Sequence, residues 1–371
     1  MTWPLVELGE ICEFKYGKAL AAGQRDGGKY AVYGSNGPVG AHSKALSDGP
    51  TIIIGRKGSF GEVAYSPESC WPIDTTYYID HSASAADLRW LSYRLSGLGL
   101  TGLNRAAAIP GLNRDDAYRQ RLLLPPPEDQ RRIAEILDHA ERLRANGRAV
   151  LTQQRDLPRA VFMDTFSRWN GPCATIAEVA LPEKGSIRTG PFGSQLLHSE
   201  FVDQGIAVLG LDNVVGNEFT WAERRYITAE KYQALRRYTV HPGDVLMSIM
   251  GTCGRCVVVP HDIETAINTK HICAITVDSG KALPDFVRAA FLWHPTTRQF
   301  LAQMTKGSIM DGLNMGIIKA TPIPLPDLDA QRAFVDRVNV IDQRTRMPAE
   351  LQTKSEELFA SIQARAFRGE L

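Results

Sequence analysis

The chain has 371 residues, 44% of them hydrophobic and 22% charged. Those are the proportions of an ordinary globular protein and exclude a disordered or collagen-like one. At about 150 residues per domain the length implies two to three domains. Forty-two Lys and Arg stand against forty-one Asp and Glu, which removes the simplest argument for a nucleic-acid partner, a strongly basic chain. Six cysteines without dense spacing fit a reducing compartment. Apolar runs such as residues 52–54 and 257–259 are strand-sized, far below the ~18 residues of a membrane span. The opening Met1-Thr2-Trp3-Pro4 has neither the basic nor the apolar region of an export signal. A cytoplasmic protein with no membrane partner is expected.

In chain order, short β-strands are expected at residues 30–33, 51–54, 62–65 and 76–79, divided by glycine turns, then a helix at 85–96. Pro125-Pro126-Pro127 blocks helix upstream, and Glu128-Asp129 place negative charge where a helix start favours it. A long helix over 128–168 follows. Ile133, Ile136, Ala140, Leu143, Gly147, Val150, Gln154, Leu157 and Val161 fall on alternating three- and four-residue steps, a coiled-coil seam. Asn146-Gly147 should weaken this helix and Pro158 should kink or interrupt it. Strands are expected again at 206–209, 244–249, 255–259 and 272–277, then a helix at 284–303. A second long helix over about 329–368 carries Phe334, Val335, Val338, Ile341, Leu351, Leu358, Phe359, Ile362 and Phe367, with its own defect at Pro348. Some 40 residues at 1.5 Å rise make a helix roughly 60 Å long. One apolar stripe of that length needs a cover, and the other long helix, packed antiparallel, is the obvious one.

The chain is written twice. Gly111-Leu112-Asn113, Leu124-Pro125 and Gln130-Arg131 recur as Gly312-Leu313-Asn314, Leu325-Pro326 and Gln331-Arg332, always 201 positions on. The same offset carries Leu157 onto Leu358 and Phe166 onto Phe367. Upstream the echo is looser. The run from Ile52 through Gly55-Arg56-Lys57-Gly58-Ser59-Phe60-Gly61 parallels Leu246 through Gly251-Thr252-Cys253-Gly254 at an offset of 193. Asp74-Thr75-Thr76 falls opposite Asn268-Thr269-Lys270, and Leu8-Gly9-Glu10-Ile11 resembles Ile176-Ala177-Glu178-Val179. Drifting offsets mean loop insertions within a shared fold.

This layout resembles the specificity subunit of type I restriction–modification systems over essentially the whole chain. The local signatures are Tyr33-Gly34-Ser35-Asn36-Gly37, the Gly55 to Gly61 run, Gly190-Pro191-Phe192-Gly193-Ser194, and Gly243-Asp244-Val245-Leu246 leading to Gly251-Thr252-Cys253-Gly254. The Leu-Pro-x-x-x-x-Gln-Arg start of each long helix and the ending Ala366-Phe367-Arg368-Gly369-Glu370-Leu371 add to them. The resemblance implies an α+β fold, with two β-rich target-recognition domains in pseudo-two-fold repeat separated by a pair of long antiparallel coiled-coil-like helices. The divisions are 1–125 for the first recognition domain, 126–170 for the first long helix, 171–326 for the second recognition domain and 327–371 for the second long helix. It also implies a non-catalytic subunit that selects a bipartite double-stranded DNA target, one half-site per domain, the helices setting the spacer. No cofactor is expected in this chain. S-adenosylmethionine belongs to modification subunits, two of them, docked around the helices, and ATP and Mg to an optional restriction subunit.

DNA reading needs donors that reach base edges and glycine loops that let backbone approach phosphate. In the first domain the candidates are Tyr33, Ser35 and Asn36 in one loop, Arg56, Lys57, Gly58 and Ser59 in another, and Thr75 and Thr76. Arg56 suits bidentate pairing with guanine, Lys57 and the Ser59 amide suit phosphate, and Asn36 suits adenine. In the second domain they are Arg188 and Thr189, Gly251, Thr252 and Arg255, and Thr269 and Lys270. The bland reading makes each glycine loop a turn and each cation a solvated surface group. Neither a phosphate-binding Gly-x-x-x-x-Gly-Lys-Ser/Thr loop nor an Asn/Asp-Pro-Pro-Tyr/Phe segment is present. Two rival readings remain open. One is a pseudo-symmetric interaction scaffold that binds no DNA. The other is a zinc site on Cys253-x-x-Cys256, His271 and Cys273, against which the repeat sets Phe60, Val63, Tyr77 and Ile79, all packing types.

Overall fold

In the computed structural model, which describes residues 3–103, 111–305 and 312–370, the chain divides into two units. One takes Met1–Val150 with Pro348–Leu371, the other Leu151–Met347. Each unit therefore holds one β-rich region and one part of each long helix.

In the first unit, Thr51–Gly55 is flanked by Thr76–Ile79 and Val63–Ser66, and Lys15–Tyr16 adds an outer strand, all antiparallel. Every residue of Thr51–Gly55 is buried, so a continuous apolar run rather than an alternating one is what such a central strand requires. A second sheet pairs Tyr30–Gly34 antiparallel to Gly37–His42 and parallel to Trp71–Pro72. Leu5–Glu7 pairs with Arg121–Leu123. Phe14, Ile52, Ile54, Trp90 and Leu91 pack there with Ile133 and Leu137 of the first long helix.

The second unit repeats the plan. Val245–Ser248 lies between Ile272–Ile275 and Cys256–Val258, with Ile187–Thr189 outermost. Its second sheet pairs Ile206–Leu209 parallel to Ala266–Asn268, and Cys173–Thr175 pairs with Pro322–Pro324. Five phenylalanines, Phe162, Phe166, Phe286, Phe291 and Phe334, join both long helices to this core.

The residues of the sequence repeat serve the same joints in both units. Leu112 N–H donates to Arg56 O at 2.9 Å, and Leu313 N–H to Ile249 O at 2.8 Å. Asn113 and Asn314 cap the short helices that follow. Gln130, buried, accepts from Asp87 N–H at 2.8 Å and donates to Pro125 O at 2.8 Å. Gln331, also buried, accepts from Leu283 N–H at 2.9 Å and donates to Pro326 O at 2.9 Å. In each unit one glutamine thus ties the start of a long helix to a helix of the β-rich region. The glutamates of the other echo cap short helices: Glu10 accepts from Glu7 N–H at 3.0 Å and Glu178 from Thr175 N–H at 2.7 Å.

The fold corrects the sequence reading at several points. Pro158 does not interrupt the first long helix, which runs over Pro127–Phe166, and the second runs over Leu328–Arg368. A proline removes one ladder bond and leaves the remaining bonds of the helix in place. Residues 284–303 are not one helix but two, Pro284–Trp293 and Pro295–Thr305. His294 between them is extended (φ −67°, ψ 129°), as a residue before proline prefers. The coiled-coil seam is displaced as well. In the first unit Ile133, Ala134 and Leu137 are buried, whereas Leu143 and Val150 are 59% and 46% exposed. The second long helix meets Arg144, Gly147 and Arg148, of which only Gly147 is on the expected seam. There Arg144 stacks 4.2 Å over Phe359, and both Arg144 (2.8 Å) and Arg148 (2.9 Å) pair with Glu356. Gly147 gives room for Gln352: a Cβ there would lie 2.2 Å from its Oε1. Contacts of 144 with 359 and of 147 with 352 run in opposite chain directions, so the pair is antiparallel.

Candidate nucleic-acid interface

In the first unit the loop after Thr51–Gly55 is braced by its own backbone. Arg56 N–H and Lys57 N–H both donate to Thr75 O, at 2.9 and 3.2 Å, and Ser35 Oγ donates to the same oxygen at 2.7 Å. Three expected segments, 35–36, 56–59 and 75–76, thereby converge on one carbonyl. The guanidinium of Arg56 donates through Nε (3.2 Å) and Nη2 (2.6 Å) to Asp74 O and lies 5.3 Å from the Tyr16 ring centroid and 5.9 Å from that of Tyr77. Its Nε side edge is used, and among the described residues its Nη1 has no hydrogen-bond partner. Lys57, Gly58 and Ser59 are exposed, as is Asn36 in the two-residue turn between Tyr30–Gly34 and Gly37–His42. Two expected residues do not reach this surface. Tyr33 is buried against Ile53 and Cys70, and Thr76 is buried with its hydroxyl donating to Ile73 O at 2.7 Å.

In the second unit Gly251 and Thr252 are exposed and Arg255 half-buried, on a loop closed by Ser248, whose Oγ donates to Thr252 O at 2.6 Å and accepts from Arg255 N–H at 2.9 Å. Thr269 and Lys270 instead line an open cleft of about 310 Å³ with Leu211, Asp212, Arg225 and His271. Thr269 Oγ1 is buried there without a hydrogen-bond partner among the described residues. Arg225 pairs with Asp212. Burial, and then the Lys270 charge, hold His271 below its ordinary pKa, so it offers one donor and one acceptor at neutral pH. Thr189 is half-buried on the outer strand.

Arg188 is placed differently from what its sequence neighbourhood suggests. Its side chain is 9% exposed and paired with the fully buried Asp244. Nε and Nη2 also donate to Thr239 O, and Nη1 to Gly185 O and Thr276 Oγ1. All five N–H groups are engaged internally, which makes Arg188 a brace rather than a contact residue. The zinc reading meets a similar correction. Cys256 and Cys273 both pair in register with Met247, one on either side, so two strand spacings, roughly 10 Å, part them. Burial pushes the Cys273 thiol up to about 12 and raises that of Cys256 too, which opposes the thiolate a metal needs.

The family model described as Type I restriction modification DNA specificity domain matches residues 1–152 and 212–354. The chain belongs to this family. Two curated relatives of the type I specificity family are similar to it. The EcoBI specificity subunit of Escherichia coli is 27% identical over 46% of this chain, and the MjaVIII specificity subunit of Methanocaldococcus jannaschii is 20% identical over 80%. These matches span 36% and 70% of the relatives' own lengths. Two solved structures share the fold. The type I restriction–modification S subunit from M. genitalium has a TM-score of 0.62 at 14% identity, covering 98% of this chain and 96% of its own. A chain from work on complex assembly and conformational transition of the type I system has a TM-score of 0.59 at 16% identity, covering 100% and 98%. A family of DNA specificity domains does not favour the DNA-free scaffold.

Sequence reasoning did not single out Tyr16 and Arg114, which lie beside Arg56 in the first unit, or Asp212 and Arg225 of the second unit's cleft, and it weighed His271 only as a zinc ligand. Gly190-Pro191-Phe192-Gly193-Ser194 held the one available signal, since Pro191 and Gly193 line the second unit's cleft. The helices carry a further feature. In the first unit Leu143 and Val150 of one helix and Leu351 and Leu358 of the other are 46–60% exposed, a set of large apolar side chains left uncovered on adjacent helices. No helix among the described residues is long and apolar enough to cross a membrane.

Proposed function

We propose that this chain is the sequence-reading, non-catalytic subunit of a cytoplasmic type I restriction–modification complex. It recognises a split double-stranded DNA target, one half-site per unit, and directs adenine methylation by two modification subunits. Those subunits carry S-adenosylmethionine, and a restriction subunit adds ATP- and Mg-dependent cleavage. The helices set the spacer, and half-sites read from one face of B-DNA have centres about one turn, roughly 10 base pairs, apart. The observation that carries this reading is the repeated joint itself. Arg56 O with Leu112 N–H, and Ile249 O with Leu313 N–H, hold loops of the same fold whose exposed side chains differ, Lys57 and Ser59 in one and Thr252 in the other. One scaffold displaying two unlike sets of donors is what two different half-sites require. The uncovered leucines and valine on the helices suit docking of the modification subunits.

The test is Arg56→Ala in the assembled complex. Base reading at its Nη1–Nη2 edge gives a loss of about 1–3 kcal/mol of discrimination at one position of the first half-site, with the second half-site unchanged. Equal weakening on every sequence would make Arg56 a phosphate contact instead.

A further inference from the structure

Arg56 is one of two guanidiniums gathered on a single exposed ring. Tyr16, on the outer strand Lys15–Tyr16, is 53% exposed. Arg56 lies 5.3 Å from its centroid and Arg114 5.5 Å, while Arg114 is also 5.8 Å from the Tyr118 ring. Tyr16 is itself set by an edge-on contact with Tyr77, centroids 5.2 Å apart. Among the described residues neither arginine forms an ion pair with a carboxylate, although Arg119, at the end of the same short helix, pairs with Asp116 at 3.1 Å. Lys57 is exposed on the adjoining loop, bridged to Gly111. Three cations are thus brought together without a carboxylate partner among the described residues, in a chain whose net charge is only +1. Mutual repulsion disfavours such a cluster until an anion arrives.

The second unit has the same joint without the charge. Its bridge joins Met250 to Gly312 where the first joins Lys57 to Gly111. The repeat sets Ile249 opposite Arg56 and Met315 opposite Arg114. The outer strands correspond through the glycine that ends each: a Cβ on Gly17 would lie 2.0 Å from Ile73 O, and one on Gly190 2.0 Å from Asn268 O. Thr189 accordingly stands where Tyr16 does. Four positions, Tyr16, Arg56, Lys57 and Arg114, become Thr189, Ile249, Met250 and Met315.

We propose that Arg114 is a phosphate contact on the Tyr16 ring, an ionic grip on DNA that the second unit, with Thr189 and Met315 at the matching positions, does not repeat. The inference rests on the DNA-reading role proposed above. Phosphate rather than base follows from the anchoring. Arg56 is fixed in direction by two bonds to Asp74 O, as base reading demands. Among the described residues Arg114 is held only by ring contacts, which permit a charge to follow a backbone oxygen.

The test measures binding of the assembled complex to its methylated target duplex and to an unrelated duplex across a salt series. Each phosphate deprived of its protein cation makes the slope of log K against log salt shallower by about 0.9. Arg114→Ala is expected to flatten the slope by that amount on both duplexes, Arg114→Lys to keep it, and Arg119→Ala and Met315→Ala to match the parent. Thermal melts confirm that each variant is folded, and Arg114→Gln replaces Arg114→Ala if that variant is not. A steep parent slope that Arg114→Ala and Arg114→Gln leave unchanged overturns the inference and leaves the DNA-reading role standing. An altered base preference at an unchanged slope also overturns it, by making Arg114 a base reader. A parent complex with a flat slope and no target preference overturns the DNA-reading role itself.

Discussion

At the scale of single residues, Arg56 bonds the backbone oxygen of Asp74 and Arg188 pairs with the buried carboxylate of Asp244. Both stand beside Thr or Gly on candidate loops, and nothing local separates them. The difference is Asp244, 56 positions from Arg188, which takes that guanidinium out of solvent with Thr276 Oγ1 at 2.6 Å and His241 N–H at 2.8 Å as its other partners. Removing one member of such a pair leaves a buried charge unpaired. Asp244→Ala is expected to cost about 3–5 kcal/mol of stability, visible as a lowered denaturation midpoint. A surface-like change, within about 0.5 kcal/mol, would refute the bracing role. His294 gives a second test at this scale. Burial depresses its pKa against a weaker opposing effect of the Phe166 backbone, and its ring lies against Phe162. The unfolded chain therefore binds a proton near pH 6.5 that the folded chain resists. Stability should fall as pH drops below about 6.5, and His294→Gln should flatten that limb of the stability–pH curve.

Among elements, the strands are the most legible. The expected 76–79 and 206–209 coincide with Thr76–Ile79 and Ile206–Leu209, because buried β-branched and aromatic runs between turns have few alternatives. Short outer strands such as Trp71–Pro72 and Tyr226–Ile227 carry no such run and leave no signal in the sequence. The seam of the long helices is displaced for a different reason. Periodicity finds an apolar stripe but not which partner covers it, and here arginine stems and Phe359 form the contact while Leu143 and Leu358 stay exposed. The 201-residue repeat locates Gln130 and Gln331 without disclosing their role. Each joins a part-buried backbone N–H to a buried backbone carbonyl. Gln130→Ala or Gln331→Ala should cost about 2–3 kcal/mol through those stranded groups, whereas replacing exposed Arg131 should cost little. Equal effects in a denaturant titration would contradict the joint.

For the whole molecule, the near-zero net charge takes on a definite meaning. Residues 1–111 hold ten basic and ten acidic side chains, and residues 171–312 thirteen and fourteen. Long-range attraction of DNA cannot come from either region's overall charge. Local concentration of cations at Tyr16, together with partner subunits, is the alternative. The helices offer the matching structural test. Inserting one helical turn into both should lengthen the unread spacer and leave both half-site sequences as they were, and altered half-sites would show that the helices also shape the readers. The most direct test of the central claim is methylome sequencing of a host carrying this chain with its modification subunit, parent against Arg56→Ala. The expected result is methylated adenine in one split motif with an unread spacer, and relaxation at a single position of one half in the variant. Methylation that does not depend on this chain, or a continuous motif altered throughout, would contradict it.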